Sequence, residues 1–373
     1  MEKNSTLVKA DRDSRFELIR ILAMLGVLAG HCNTFAFSFK EEFLPWPFSV
    51  NYAFAMATSL LCHTSNWFFI LLTCWFSVGR VSFKAKRLLK ILWQIWTTCV
   101  LSVLLAVLLG LDTVNIKTVA LELITPLSTQ YWYATAMVVF IIILPLLQSL
   151  EQHLDNDRLI VVCVLLILIR PIRSIFTAML AGEICDFILG FFLVCYLKRN
   201  PDNWFKKHYK AGILLVLAMT AVLILGKALL PQKLFGFTLF SKSGGLFPAL
   251  IHKLSKRSLH QLILAVCLFY AIMNLNLRSS RFINVLAKYT FGVYLWHYNY
   301  VFREIIWKNL LHANYAYTRS NLYGVFIILA PMLVFAACSA VEWARSRVLD
   351  DWLYPRLPWN SRLEALIDRH YHW

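Results

Sequence analysis

Three side chains near the amino terminus have the types and spacing for acid–base chemistry: Glu17, Arg20 and His31. Arg20 and His31 are 11 positions apart, which on an α-helix is roughly 20° past three full turns. Glu17 lies about 40° short of four turns from His31, so one helix face should carry all three. A histidine titrates at about pH 6.5 in its reference state, which suits it to work as a general base.

Along the helix axis, Arg20 and His31 should lie about 16 Å apart. Arg20 would then sit near the cytoplasmic rim of a membrane span, and His31 beyond its middle. Ionisable side chains inside such a span cost about 2.5–3.5 kcal/mol each on insertion scales, so each is a functional candidate. The structural alternative is a histidine satisfied by a neighbouring helix, but a face shared with Glu17 and Arg20 favours function.

The elements that position these residues must be membrane helices. The chain has 373 residues, of which 59% are hydrophobic and only 15% charged, and its mean hydropathy is +0.62. Soluble domains have about 25% charged residues, so these values exclude an ordinary soluble domain as well as a disordered or collagen-like chain. At roughly 20 apolar residues per crossing, about ten transmembrane helices fit. We therefore predict an all-α, polytopic membrane helix bundle.

The apolar runs that predict these spans are bounded by charged or turn-forming residues. The first has a basic leader like that of a signal peptide, but no small-residue cleavage site follows, which indicates a retained span. The ten runs cover residues 17–38, 50–79, 86–110, 130–150, 158–173, 176–197, 210–230, 259–277, 288–310 and 320–344.

The net charge of +17 would suggest nucleic-acid binding in a soluble protein. In a membrane protein, basic residues instead collect in short cytoplasmic loops. With both termini in the cytoplasm, 24 of the 37 Lys and Arg residues fall in inner segments and 13 in outer ones. Because the cations are scattered among loops on both sides, nucleic-acid binding is excluded. The topology is least defined over 227–258, which holds six of the outer cations.

The nine cysteines lie within or beside apolar stretches and form no CxxC pair. This pattern indicates small core residues, with no metal site expected.

Four segments resemble the acyltransferase-3 family of integral membrane acyltransferases. RFELIRILAMLGVLAGH, in which Arg20 and His31 enclose ten residues, resembles the family's first span. NWFFILLTCWFSV followed by KAKRLLK resembles its second span and basic loop, although Leu72, Thr73 and Cys74 stand where Ser-Gly is usual. QYWYATAMVVFIIILPLL and YTFGVYLWH resemble its fourth span and a late segment.

The resemblance implies a single acyltransferase domain over residues 1–373, located in the cell membrane and active as an O-acyltransferase. The donor would be an acyl-CoA, most simply cytoplasmic acetyl-CoA, and the acceptor a hydroxyl of a carbohydrate at or bound for the cell surface. His31 would act as general base or transient acyl carrier, and Arg20 would orient the donor or stabilise negative charge. Glu17 would hold Arg20 in place.

Basic residues on the inner side would pair with the phosphates of the donor: Arg20, Lys84, Arg87 and Lys90. Topology and lipid contact explain such loop cations equally well. Four aromatic or imidazole residues would line the acceptor site: Trp132, Tyr133, Tyr294 and His297. For the first two the alternative is an aromatic belt at the outer interface, and for the last two core packing.

Two further groups receive structural interpretations. His63 is interpreted as structural because it has no charged partner at helical spacing. Glu183 and Asp186 could bind a cation or pair with Arg170 or Arg173, and an internal ion pair is the leading interpretation.

The competing function is a secondary transporter or flippase, because buried ionisable residues also serve proton relays. The sequence leaves open the acceptor, the choice between an acetyl, succinyl or longer donor, and whether the chain forms a homo-oligomer.

Overall fold

The structure is a computed structural model of the chain. It describes residues 12–36, 50–79, 85–110, 115, 119–120, 122–123, 129–176, 179–229, 233–234, 237–238, 259–311, 319–357 and 359–370. Lys84 and most of 227–258 lie outside the described residues, as do the side chains of Arg170 and Arg173.

Twelve α-helices make up most of this part of the chain. They are α1 Ser14–His31, α2 Val50–Trp75, α3 Ala85–Leu108, α4 Trp132–Gln152, α5 Asn156–Phe176, α6 Met179–Arg199, α7 Trp204–Leu229, α8 Leu259–Met273, α9 Arg281–Lys288, α10 Thr290–Tyr298, α11 Tyr323–Arg345 and α12 Trp359–His370. A two-residue antiparallel pair, β1 Lys233–Leu234 with β2 Phe237–Thr238, is the one exception to an all-α fold among the described residues.

The helix α1 occupies the centre of the bundle, where it packs against α2, α8, α9, α10 and α11. Its start is defined by Asp13, whose carboxylate accepts a hydrogen bond of 3.0 Å from the Arg15 backbone N–H. The guanidinium of Arg15 also donates to Asp13 and holds the pKa of that carboxyl below its usual value. After His31 the helix widens into a π-helical turn, Cys32–Ala36. π turns inside helices are frequent at functional sites.

Two glycines allow α1 and α2 to pack at very short range. A Cβ added at Gly26 would come closer than 3.0 Å to the Ser65 side chain, and one at Gly30 would come equally close to Cys62. Small residues at a helix interface let two backbones approach closely inside a membrane. The position of His31, one residue after Gly30, is therefore fixed relative to α2.

The predicted helical membrane bundle is confirmed, and every predicted run except the ninth coincides with a single α-helix. Within the described residues, four segments are long and apolar enough to cross a membrane: Ser14–Phe35, Ala85–Leu108, Trp132–Gln152 and Tyr323–Arg356. The count of ten spans stays a prediction.

The ninth run, 288–310, is wrong as a single span. It contains the helix α10 and a π-helical turn, Ile305–Leu310, and α10 ends at Asn299. The backbone of Asn299 leaves the helical region there (φ −58°, ψ 135°), and its side chain accepts a hydrogen bond of 2.9 Å from the Val301 N–H. A side chain that bonds its own backbone two residues on forms a local turn that competes with the helix.

Candidate active site

Two imidazoles meet where α1 ends and α10 ends. His31 Nδ1 lies 2.9 Å from His297 Nε2, and His297 Nδ1 lies 2.6 Å from the Val293 carbonyl oxygen. Since a carbonyl can only accept, His297 Nδ1 must carry a proton, and a neutral His297 then presents an unprotonated Nε2. That nitrogen accepts from His31 Nδ1–H. The Nε2 of His31 is consequently left with its lone pair, as a general base requires.

Aromatic rings enclose His31 on several sides. The Tyr298 ring stacks on it with ring centroids 4.8 Å apart, and the Phe35 ring lies 5.4 Å away. The guanidinium of Arg303 lies over the Phe35 ring, 4.7 Å from its centroid.

Glu17 and Arg20 form the ion pair that the sequence predicted. Arg20 Nη1 donates to both carboxylate oxygens of Glu17, at 2.8 and 2.6 Å. The Glu17 side chain is 7% exposed and that of Arg20 is 31% exposed. The carboxylate is therefore buried, whereas the arginine side chain is partly exposed. The Arg20 guanidinium also lies over the Phe76 ring, 5.4 Å from its centroid.

Tyr133 lies inside the bundle, so the aromatic-belt alternative is wrong for it. It is buried, and its hydroxyl donates to the Phe69 carbonyl at 3.2 Å and lies 3.0 Å from Thr73 Oγ1. Thr73 is one of the residues that depart from the family pattern, and here it supports Tyr133.

A continuous series of rings leads from Tyr133 to the histidines. Tyr133 contacts Tyr294 edge to face at 6.0 Å, and Tyr294 stacks with Tyr298 at 6.2 Å. Tyr298 in turn stacks on His31. Tyr133, Tyr294 and Tyr298 thus form a wall of aromatic side chains that ends at His31. Such rings bind apolar and sugar surfaces while their hydroxyls bind polar groups.

The other predicted site residues lie less centrally or outside the description. Trp132 is half-buried and packs edge to face on Tyr133 at 5.9 Å. Lys90 is exposed and Arg87 half-buried, both on α3, whereas Lys84 lies outside the described residues. Glu183 and Asp186 are buried on α6, but the side chains of their predicted partners, Arg170 and Arg173, are not described.

A buried ionic cluster behind α10 was not predicted. Glu342 Oε1 accepts from Arg345 Nη2 at 2.7 Å and from Gln94 Nε2 at 2.8 Å, while Oε2 accepts from Arg345 Nε at 2.9 Å and from Trp296 Nε1 at 3.1 Å. A Cβ at Gly292 would come closer than 3.0 Å to the Glu342 side chain. Gly292 and Trp296 are i,i+4 on α10 and therefore share the face that docks on Glu342.

The cluster continues to the end of α11. Arg345 also binds Asp350, at 2.6 and 3.0 Å, and Thr97 Oγ1 at 2.9 Å. The i,i+3 spacing of Glu342 and Arg345 was the signal in the sequence that could have indicated an internal pair.

A second buried polar group, around Glu122, was also missed. Asn299 Nδ2 donates to Glu122 Oε2 at 3.0 Å and to the Tyr131 hydroxyl at 2.9 Å, and Tyr131 donates to the Leu295 carbonyl at 3.1 Å. Burial raises the pKa of the Glu122 carboxyl, against the effect of its hydrogen bonds. This group fixes the end of α10 next to His297.

The described residues contain no group of three or more His, Cys, Asp or Glu side chains placed to hold a metal ion. All nine cysteines are free thiols, and seven of them are buried, in keeping with their interpretation as small core residues.

Comparison with known proteins gives one match. A family model described as an acyltransferase domain, that of the acyltransferase-3 family, matches residues 13–341. No curated protein and no solved structure matches the chain.

Proposed function

The chain belongs to the acyltransferase-3 family, and from that premise we propose that it transfers an acetyl group from cytoplasmic acetyl-CoA to a hydroxyl of a cell-surface or exported carbohydrate. Membership and the apolar helices establish a membrane acyltransferase. The donor, the acceptor, the location in the cell membrane and the role of each residue belong to the proposal. So does the action of residues 1–373 as one domain with both termini in the cytoplasm.

The observation that carries the proposal is the hydrogen-bonded chain from His31 through His297 to the Val293 carbonyl. It supports an unprotonated His31 Nε2. This nitrogen takes the proton of the acceptor hydroxyl as that oxygen attacks the thioester carbonyl carbon. The C–S bond then breaks, and the proton passes from His31 to the departing CoA thiolate. An ester and a free thiol result, and His31 returns to its neutral state.

Arg20 and Arg303 have different roles: Arg20 binds the donor, and Arg303 stabilises the oxyanion. A cation stabilises a developing oxyanion only within hydrogen-bond distance of it, and Arg20 lies about 16 Å from His31 along α1. Arg20, held by Glu17, therefore binds the donor at a distance from the reacting carbon. Arg303 lies over the Phe35 ring, which itself contacts His31, and in this proposal it is the cation that acts on the oxyanion.

The aromatic rings that lead from Tyr133 to His31 suit the sugar ring of the acceptor and the arm of the donor. Tyr133, Tyr294 and Tyr298 offer faces against which a sugar ring or the arm of the donor can pack. Trp132 lies at the edge of this aromatic wall.

The test replaces His31 by Ala in the full chain, with His153→Ala as the matched control. His153 is exposed and lies after α4, away from the histidine pair. Membranes with equal amounts of each protein are assayed for O-acetylation of surface glycans and for release of CoA thiol from acetyl-CoA. We expect a loss of about 10²–10⁴-fold for His31→Ala and full activity for His153→Ala. Wild-type activity in His31→Ala would exclude the proposed role.

The same membranes separate the enzyme from a transporter or flippase. Loss of glycan acylation with polymer export intact supports the enzyme, whereas loss of export with acylation intact contradicts it. If His31 carries the acyl group transiently, brief incubation with labelled acetyl-CoA in the absence of acceptor leaves label on the wild-type protein and none on His31→Ala.

A further inference from the structure

A cavity lies where the foot of α1 meets α9, at the opposite end of α1 from His31. Its volume is about 550 Å³, within the range of roughly 300–1,000 Å³ typical of small-molecule sites. Its lining consists of Arg12, Ser279, Arg281, Asn284, Val285 and Lys288.

Three of the lining side chains are cationic and none is acidic. Arg12, Arg281 and Lys288 are exposed, and none of them forms an ion pair within the part of the chain that the structure describes. Their neighbours on α1 differ, because Arg15 is paired with Asp13 and Arg20 with Glu17. Cations that converge on one concave surface without carboxylates create a positive potential that attracts anions.

The walls of this cavity are tied together by hydrogen bonds. Ser14 Oγ donates to Asn284 Oδ1 at 2.8 Å and accepts from the Ser280 N–H at 2.8 Å. Asn284 Nδ2 donates to the Arg12 carbonyl at 3.4 Å. The three cations thus lie just before α1 and at the two ends of α9, and the relative position of these helices is fixed, so a bound anion need not order the site itself.

We propose that this cavity binds a phosphate-bearing ligand, with Arg281 and Lys288 as its principal contacts. Arginine provides a planar fork for phosphate oxygens and lysine a point charge. Two sources supply this chemistry: the phosphates of a CoA-type donor and the headgroup of an acidic phospholipid. In the first case the inference rests on the proposed function.

The location of the cavity suits the first source. Ser14, at the cavity, and His31 are the two ends of α1, about 26 Å apart, and α9 continues through Tyr289 into α10, which carries His297. In an acyl-CoA the phosphates are separated from the thioester by the long pantetheine arm. A donor whose phosphates occupy the cavity therefore extends its thioester toward the histidines.

The test measures binding without turnover. Purified full-length protein is titrated calorimetrically with CoA, which has no acyl group to transfer, and Arg281→Ala/Lys288→Ala is compared with wild type. The control, Lys206→Ala/Arg347→Ala, removes two cations that lie elsewhere in ion pairs with Asp202 and Asp351. We expect the Kd for CoA to rise about tenfold or more in the cavity variant and to stay unchanged in the control.

A second arm tests the lipid source. The same proteins are placed in nanodiscs of phosphatidylcholine with or without phosphatidylglycerol, and their unfolding midpoints are measured. If phosphatidylglycerol raises the midpoint of wild type and control but not of the cavity variant, while CoA binding is equal in all three, the ligand is a lipid headgroup. If the cavity variant matches wild type in both arms, the inference is wrong.

These outcomes are distinguishable from failure of the proposed function. Normal acyl transfer with unaltered binding of both ligands by the cavity variant overturns the cavity alone. Conversely, a wild-type protein that transfers no acetyl group, but whose CoA binding is weakened by Arg281→Ala/Lys288→Ala, leaves the cavity assigned and removes the proposed reaction.

Discussion

His297 holds His31 through a hydrogen bond of 2.9 Å between Nε2 and Nδ1, although the two residues are 266 positions apart in the chain. One ring sets the tautomer of the other, as the carboxylate of a catalytic triad does for its histidine. Here the group that orients the proposed base is a second imidazole, which is itself fixed by the Val293 carbonyl.

This arrangement predicts the behaviour of His297 variants. His297→Ala leaves the ring of His31 free to rotate and to change tautomer, so acyl transfer should fall by about 10²-fold, as expected for misplacement of a catalytic group by about 1 Å. The binding of CoA should not change. The assay is release of CoA thiol by membranes with matched protein levels, and activity equal to that of His153→Ala would contradict the prediction.

The ion pair between Glu17 and Arg20 predicts a loss of stability when one partner is removed. Breaking a fully buried pair costs about 3–5 kcal/mol, but Arg20 is 31% exposed, so Glu17→Gln should cost less, about 1–3 kcal/mol.

A double-mutant cycle of Glu17→Gln and Arg20→Gln, read from unfolding midpoints in detergent, isolates the pair. Additive effects of the two substitutions would show that they do not interact.

Gly292 is predicted to be essential because it lets Glu342 approach α10. In Gly292→Ala the added methyl group collides with the Glu342 side chain, and overpacking of this kind costs typically about 1–3 kcal/mol. It should also displace His297 and reduce acyl transfer. Gly324→Ala is the matched control, because its methyl group would meet only the edge of the half-exposed Phe54 ring, at 3.0 Å. Equal unfolding midpoints and activities for the two variants would refute this expectation.

Removal of the charge of Glu342, without a change in side-chain size, should also lower the stability of the fold. Glu342→Gln keeps the shape but leaves Arg345, which is 1% exposed, with Asp350 as its remaining ionic partner. The cost should approach about 3 kcal/mol, the lower bound for a broken buried pair. The exposed pair of Arg347 and Asp351 provides the control, since Asp351→Asn should change stability by less than about 1 kcal/mol. Similar midpoints for the two variants would contradict a special role for Glu342.

Asp13 predicts a pH dependence of stability. Because its pKa is lower in the folded chain than the unfolded value of about 3.9, the ionised carboxylate stabilises the fold above that pH. The stabilisation is lost as the pH falls through the folded pKa.

The difference in unfolding midpoint between wild type and Asp13→Asn should therefore be constant from pH 7 to about 5 and disappear well below about 3.9. A difference that grows on acidification would contradict the assignment. Asp157→Asn, at an exposed position on α5, should give a smaller difference than Asp13→Asn from pH 7 to about 5.

Local features of the site could be predicted from the sequence because they depend on one helix. The pairing of Glu17 with Arg20 follows from i,i+3 spacing, and the helical bundle follows from apolar runs. Both His31 and His297 were candidate site residues. Their direct contact could not be predicted, because no periodicity relates α1 to α10. The contact of Glu342 with Gly292 could not be predicted for the same reason.

Tyr133 shows a different limit. A tyrosine near a span end is typical of a membrane interface, and only the packing of α4 against its neighbours places it inside the bundle. The break at Asn299 likewise depends on Glu122 and Tyr131, which lie far away in the chain.

The close packing at Gly26 and Gly30 limits how this protein can move during a reaction cycle. Because Ser65 and Cys62 pack directly against these glycines, α1 cannot slide along α2 without a collision. The two helices therefore form a rigid pair that carries His31, the proposed base. Any opening that admits a donor from one side and an acceptor from the other must come from elements outside this pair.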